Sequence, residues 1–350
     1  MQNFTLGTRL CFGEHALDAL QTLDASRVLL VTDAFFAQNG LAAEIAERCN
    51  AETRIFSEVQ PDPPLSLVAR GVAVMQEFQP DVLLALGGGS PIDCAKGMLS
   101  MSGSTARLVA VPTTSGTGSE VTSFAILTHE GTKHPLVDAH LRPELAILDP
   151  SLLQELPPKL IADAGMDVAA HCLEAIVAKS ASPFSDALAT AAFQTVLREL
   201  PKSYHGEKEV RGAMHCAATM AGIAFDNAGL GACHALSHAI GGTFHTAHGR
   251  LNGILLPHVV HFNAVTSPQP YARLAAQCGL SGVQGLCFSI QRLRRQLSLP
   301  ATLTQAGLER SAVLSELDAL AEAAYHDPCT QGNPRPVTKE DYVNLIRGAL

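Results

Sequence analysis

The feature that most constrains this 350-residue chain is a change of periodicity at Pro157-Pro158. Before it, short β-branched and Leu-rich runs (residues 27–32, 53–56, 82–86, 108–111 and 145–148) alternate with stretches of helical spacing. The helical stretches are residues 34–46, 65–78 and 91–101. Strand–helix alternation of this kind predicts a parallel sheet covered by helices on both faces. After it, from Ile161 onward, long Ala/Leu-rich segments keep helical spacing and strand signals fade. The expectation is an α/β domain over residues 1–158 with a parallel nucleotide-binding sheet, and an all-α domain over residues 159–350. A chain of this length is also too long for one simple core.

Composition narrows the class. The net charge is −9 and no long basic run occurs. That argues against nucleic acid as a partner, because phosphate-backbone affinity rests on clustered Lys and Arg. No apolar stretch reaches the roughly 20 residues needed to cross a bilayer, so no membrane partner is expected. The start, Met1-Gln2-Asn3-Phe4-Thr5, has no basic region followed by an apolar run. The nine cysteines form no C-x-x-C pair and are odd in number. They read as reduced thiols of a cytoplasmic protein.

Two small-residue loops follow strand-like runs. Gly87-Gly88-Gly89-Ser90-Pro91-Ile92-Asp93 joins a strand to a helix. Glycines admit close approach of a ligand to the backbone. Ser90 suits an N-cap, Pro91 the first helical position and Asp93 the acid of a capping box. Such a helix start presents free N–H groups to a phosphate, although a tight turn that merely caps a helix reads equally well. The loop is not G-x-G-x-x-G, and the candidate ribose-binding acid, Asp33, lies upstream of it rather than about 20 residues downstream. A carboxylate there accepts hydrogen bonds from a ribose diol and repels a 2′-phosphate, favouring NAD over NADP. By itself Asp33 also reads as a solvated loop acid. The second loop, Thr113-Thr114-Ser115-Gly116-Thr117-Gly118-Ser119-Glu120, offers hydroxyls and N–H groups for a diphosphate or a nicotinamide amide.

Six of the 14 histidines fall between His234 and His261, where uniform scatter would place roughly one. His234 and His238 are four apart, as are Asp167 and His171, so each pair shares a helix face. Two such pairs can converge on one divalent ion. Imidazoles with one carboxylate suit Fe(II) or Zn(II) and do not decide between them. Each histidine taken alone reads as a packed or capping residue, and His258 and His261 stay there. Cys233 and Cys329 read by default as small buried thiols.

Taken together, Gly87-Gly88-Gly89-Ser90 with Asp93 and Lys96, the Pro112–Glu120 loop, Asp167-x-x-x-His171, Gly229-Leu230-Gly231-x-x-His234-x-x-x-His238, His248-Gly249, and Asp327-Pro328-Cys329-Thr330 with Asn333-Pro334-Arg335 resemble the iron-containing (group III) alcohol dehydrogenases. The motifs occur in that family's order from about Thr8 to Leu350. The resemblance implies a dehydroquinate-synthase-like fold and a metal-dependent, NAD(H)-linked exchange of short primary alcohols and aldehydes. It implies that Asp167, His171, His234 and His248 hold the metal, Fe(II) or else Zn(II). It implies that His238 is a non-ligand histidine that relays a proton beside substrate and nicotinamide. Cofactor contacts fall on Asp33, Asp62, Gly88, Gly89, Ser90, Asp93, Thr113, Thr114, Thr117, Ser119 and Lys133. Phe225, His245 and Cys329 fall on the substrate pocket. Within the family, residues 3–10 and 241–245 resemble members from bacterial propanediol-utilisation compartments. That implies propanal and 1-propanol as substrates, a homodimer or higher homo-oligomer, and compartment shell or core proteins as partners. Ala247 departs from the family's usual Pro before the last ligand, which implies a looser turn. Two rival readings are a metal- and NAD-dependent lyase of dehydroquinate-synthase type and a non-catalytic metal- or nucleotide-binding component of an assembly.

Overall fold

The computed structural model describes residues 3–129 and 132–350. They divide into two compact units: residues 6–155, and residues 156–350 together with residues 3–5.

The first unit is built on six parallel strands: β1 (Arg9–Phe12), β2 (Arg27–Asp33), β3 (Glu52–Val59), β4 (Val82–Gly87), β5 (Arg107–Pro112) and β8 (Leu145–Leu148). Their order across the sheet is β1-β8-β5-β4-β2-β3. A separate antiparallel hairpin pairs β6 (Phe124–His129) with β7 (Thr132–Val137). Alternation along the central strands produces two cores. Leu29, Val31, Leu83, Ala85, Leu108 and Ala110 pack to one side with α3 (Leu65–Phe78) and α4 (Gly89–Ser102). Val28, Leu30, Val82, Leu84, Val109 and Val111 pack to the other, toward α2 (Leu41–Arg48). Both faces are therefore buried, as continuous apolar strand runs require.

The strand order carries the functional consequence. From β2 the chain first adds β3 on one side, then returns to place β4 and β5 on the other. The C-terminal ends of β2 and β4 thus flank a topological switch point, where ligands bind in open α/β sheets. Asp33 ends β2, Gly87 ends β4, and the Thr113–Ser119 loop follows β5.

Three local expectations are corrected. The helical stretch after Asp33 breaks at Gly40, whose φ of 88° ends α1 (Ala34–Gln38) and restarts the chain as α2. Gly88, not Ser90, is the N-cap of α4, so Ser90 lies inside the first turn. Asp93 joins no capping box: it accepts from the Ser119 hydroxyl at 2.6 Å and from the Ile126 amide at 3.1 Å.

The second unit is helical throughout, from α5 (Pro158–Ala175) through α6 (Pro183–Tyr204), α7 (Arg211–Ala228), α8 (Ala232–Phe244) and α9 (His248–Ala264) to α10 (Pro268–Gln277), α11 (Gly282–Gln296), α12 (Arg310–Ser315), α13 (Leu317–His326), α14 (Pro328–Gly332) and α15 (Lys339–Ala349). Helix α5 is buried along most of its length and holds Asp163, Asp167, His171 and Glu174 among apolar neighbours. Helix α9 approaches it through Gly249 and Gly253. A Cβ at Gly249 would stand 1.9 Å from the Asp163 carbonyl oxygen. No helix among the described residues is long and apolar enough to cross a membrane.

Candidate metal and cofactor sites

Asp167 sits two turns into α5, and its Oδ1 is the focus of three imidazoles. His248 Nε2 lies 3.5 Å from it, His234 Nε2 3.6 Å and His171 Nε2 3.9 Å. Asp167, His234 and His248 offer ligand atoms that all lie within 4.8 Å of one another. Metal–ligand bonds of about 2.0–2.2 Å around a tetrahedral ion place neighbouring ligand atoms roughly 3.3–3.6 Å apart. The His248 and His234 spacings fit one ion, while His171, at 3.9 Å from Asp167 Oδ1, stands slightly wider and outside that group of three. Among these atoms lies the Asn252 amide nitrogen, 2.7 Å from Asp167 Oδ1, 3.1 Å from His248 Nε2 and 3.3 Å from His234 Nε2.

The electrostatics agree. Asp167, His171 and His234 are buried. Burial opposes ionisation of Asp167, yet the surrounding imidazoles of His171, His248 and His234 hold its carboxyl well below the ordinary carboxylate range. Burial pushes His171 down to about 4 against the pull of Asp167. Burial also disfavours the His234 cation, but the neighbouring carboxylates of Asp167 and Glu174 outweigh it and raise His234 to about 9. A buried carboxylate among imidazoles is costly unless a cation or proton sits between them.

The surrounding shell was not read from the sequence. Glu174, seven residues after Asp167, receives His234 Nδ1 at 2.6 Å and the Cys233 amide at 2.7 Å. Asn333 Oδ1 accepts from the Ala232 amide at 3.1 Å. Together they satisfy the exposed amides at the start of α8, whose N-cap Gly231 has no side chain to do so. Gly231 must be glycine, since a Cβ would stand 2.6 Å from Asn333 Oδ1 and 3.0 Å from Glu174 Oε1. Asn252, one turn after His248, donates to Asp167 Oδ1 at 2.7 Å. Spacing did carry a signal for Glu174: Asp167, His171 and Glu174 recur on one helix face.

Just past His248, the first turn of α9 is tied to α5. Arg250 makes a two-pronged contact with Asp163, Nη2 to Oδ2 at 2.7 Å and Nε to Oδ1 at 3.2 Å.

His238, one turn beyond His234, is half-buried, and its ring stacks on His248 with centroids 5.1 Å apart. Its Nδ1 is 2.8 Å from Asp327 Oδ2. Phe225 stacks on His171 with centroids 4.2 Å apart. Cys329 lies beside Asp327, donating its amide to Oδ1 at 2.8 Å. His245 stands apart from these residues: it is the exposed C-cap of α8, with a left-handed φ of 52°. Cys233 directs its thiol to Asn252.

In the α/β unit, Gly88 and Gly89 pack beneath the second loop. A Cβ would meet Thr114 Oγ1 at 3.2 Å from Gly88, and Thr117 Cγ2 at 3.0 Å from Gly89. Ser90 follows in the same turn, and Thr113 is buried with its amide on the Gly87 carbonyl at 2.9 Å. Asp33 caps α1, accepting from the amides of Phe35 and Phe36. Asp62, in a left-handed conformation, pairs with Lys133 Nζ at 2.7 Å. Asp93 and Ser119 are joined to each other rather than directed outward. The fully buried Lys96 braces the end of the second loop by donating to the Ser119 hydroxyl at 3.2 Å, and just beyond it to the Thr122 and Phe124 carbonyls at 2.9 and 2.8 Å.

Family models match both units: the iron-containing alcohol dehydrogenase model over residues 7–150, and the C-terminal model of the Fe-containing alcohol dehydrogenase family over residues 161–350. The chain belongs to the iron-containing alcohol dehydrogenase family. It is 39% identical to 1-propanol dehydrogenase PduQ of Citrobacter freundii, with all of both chains covered. It is 36% identical to the NADPH-dependent butanol dehydrogenase of Clostridium saccharobutylicum, covering 99% of this chain and 97% of that one. The iron-containing alcohol dehydrogenase of Thermococcus thioreducens superposes with a TM-score of 0.95 at 33% identity, covering 99% of each chain. The family works with iron and NAD(H). Membership makes this chain an alcohol dehydrogenase with the dehydroquinate-synthase-like architecture, and sets aside the lyase and the non-catalytic readings.

Proposed function

We propose that this chain interconverts 1-propanol and propanal with NAD(H), using Asp167, His171, His234 and His248 to hold a divalent metal, iron(II) before zinc(II). The observation that carries the reading is the aim of three Nε2 atoms at one buried carboxylate oxygen. When bound, the metal would act as a Lewis acid on the substrate oxygen, and the nicotinamide would supply or accept the hydride.

The chain's own residues do the rest. Asp33, Gly88, Gly89, Ser90 and Thr113 stand at the strand ends that flank the switch point, where a dinucleotide binds. Thr114 and Thr117 line the same loops, and Asp62 with Lys133 pins the hairpin nearby. Asp33 has one carboxylate oxygen engaged with α1 and leaves the other for a ribose diol. His238 exchanges the proton of the substrate hydroxyl. Its bond to Asp327 through Nδ1 leaves Nε2 as the exchanging atom. Phe225, stacked on His171, and Cys329, beside Asp327, would offer the apolar surface for a short aliphatic chain.

Relatives named for methanol, 1-propanol and butanol support a small primary alcohol. The likeness of residues 3–10 and 241–245 supports a cytoplasmic homodimer working with compartment shell or core proteins. The test is anaerobic Fe(II) loading followed by NADH absorbance on adding ethanal, propanal or butanal. Propanal is expected to give the highest kcat/KM. No NADH oxidation with any of the three ends the proposal.

A further inference from the structure

A second cluster of unlike donors lies outside the metal site. His238, Asp327 and Cys329 each offer a ligand atom, and these atoms all lie within 4.8 Å of one another. The arrangement is preorganised. Asp327 is fixed as the N-cap of α14 by the Cys329 amide, which also places the thiol two residues along. His238 comes from α8 and already points Nδ1 at Asp327 Oδ2. All three are half-buried, so a cation can reach them and water is partly excluded.

We propose that this trio is a binding site for a thiophilic divalent cation, zinc(II) or cadmium(II). The chemistry differs from that of the neighbouring site: sulfur, nitrogen and oxygen here, against nitrogen and oxygen only at Asp167. Bonds of about 2.3 Å to sulfur and 2.0–2.2 Å to nitrogen and oxygen place ligand atoms roughly 3.3–3.6 Å apart. The His238–Asp327 contact therefore opens by about half an ångström while the thiol closes in. In the binding step the cation replaces the proton between Nδ1 and Oδ2. That proton moves to Nε2, the imidazole stays neutral, and the thiol proton leaves to solvent as the sulfur–metal bond forms. One proton is released for each cation bound.

The probe is cadmium(II) alone, titrated anaerobically into the iron-loaded enzyme and followed by the near-ultraviolet thiolate-to-cadmium absorption. Oxygen and nitrogen ligands give no such band, so occupancy of the Asp167 site is silent. One equivalent with a band is expected. The band should vanish in Cys329→Ser, and the affinity should fall at least tenfold in His238→Gln. A band that persists in Cys329→Ser, an unchanged affinity in His238→Gln, or no band in the parent overturns the site. The His238 variant serves where Cys329→Ser does not fold. The absorption needs neither substrate nor NADH, so it is independent of the function proposed above. A bound cation also occupies Nδ1 and protonates Nε2, so inhibition of propanal reduction should accompany the band. A band without inhibition would support the site and count against His238 as the proton carrier.

Discussion

At the residue scale, chemistry and architecture separate cleanly at the histidines. His234 points Nε2 at Asp167 and Nδ1 at Glu174, so as a proposed ligand it faces the candidate metal site on one side and the scaffold on the other. His234→Ala is expected to reduce bound iron to well below one equivalent, read by metal analysis of anaerobically purified protein. His238 makes no such approach to Asp167, and its Nδ1 is taken by Asp327. His238→Ala should keep its metal while kcat falls by about 10²- to 10⁴-fold, the usual range for a lost proton carrier. Metal lost from that variant would make His238 a ligand. Asp33 has two roles, because it caps α1 as well as ending β2. Asp33→Gly should shift the NADPH/NADH ratio of kcat/KM upward and cost only a few tenths of a kcal/mol in stability, since glycine is a tolerable N-cap. An unchanged ratio would remove Asp33 from the ribose.

At the element scale, the site depends on how closely α5 and α9 approach. Gly249→Ala puts a methyl group against the Asp163 carbonyl and forces the helices apart. A destabilisation of about 1–3 kcal/mol or more is expected from overpacking, with loss of iron as His248 moves away from Asp167. Thermal unfolding and metal content check both. Glu174→Ala leaves the Cys233 amide without its partner, at a cost of about 1–3 kcal/mol, and should weaken metal binding roughly 10- to 100-fold through His234. In the sheet, Asp81 accepts from the amides of Ser26 and Arg27 where β2 begins. Burial opposes its charge, but the backbone amides together with Arg107 outweigh it and hold its carboxyl below the ordinary range. A folded value below the unfolded one means the contribution is present above the unfolded carboxylate pKa and disappears as pH falls through the folded value. Asp81→Asn should therefore narrow its stability gap to the parent as pH is lowered through the acid range, measured by denaturant unfolding at successive pH values.

At the scale of the whole molecule, the residues proposed for the ion and those proposed for the dinucleotide fall in different units. All four candidate ligands lie in residues 156–350, and the candidate dinucleotide contacts lie in residues 6–155. Chelation is expected to speed amide exchange in α5, α8 and α9 while leaving β2, β4 and β5 protected. NADH should do the reverse, slowing exchange at the ends of β2, β4 and β5. A ligand at 100 times its Kd adds about 2.7 kcal/mol to the unit that binds it. Equal changes in both units on chelation would contradict this division.

Much of this was legible in the chain because it depends on local spacing. Alternating apolar strand runs dictated a sheet buried on both faces, and the four-residue intervals of Asp167/His171 and His234/His238 dictated shared helix faces. The change at Pro157-Pro158 dictated where strands stop. Other features were decided only by tertiary packing, because they join residues far apart in sequence whose pairing no local pattern encodes. Glu174 and Asn333 cap α8 from 59 and 101 residues away, and Arg250 ties α9 to α5 through Asp163, 87 residues earlier. Asp93 turned inward to Ser119 because the hairpin covers it, and Gly88 is the N-cap of α4 at a place where a Cβ would stand 3.2 Å from Thr114 Oγ1. Spacing determines which groups can share a face; only the folded packing determines which of them meet.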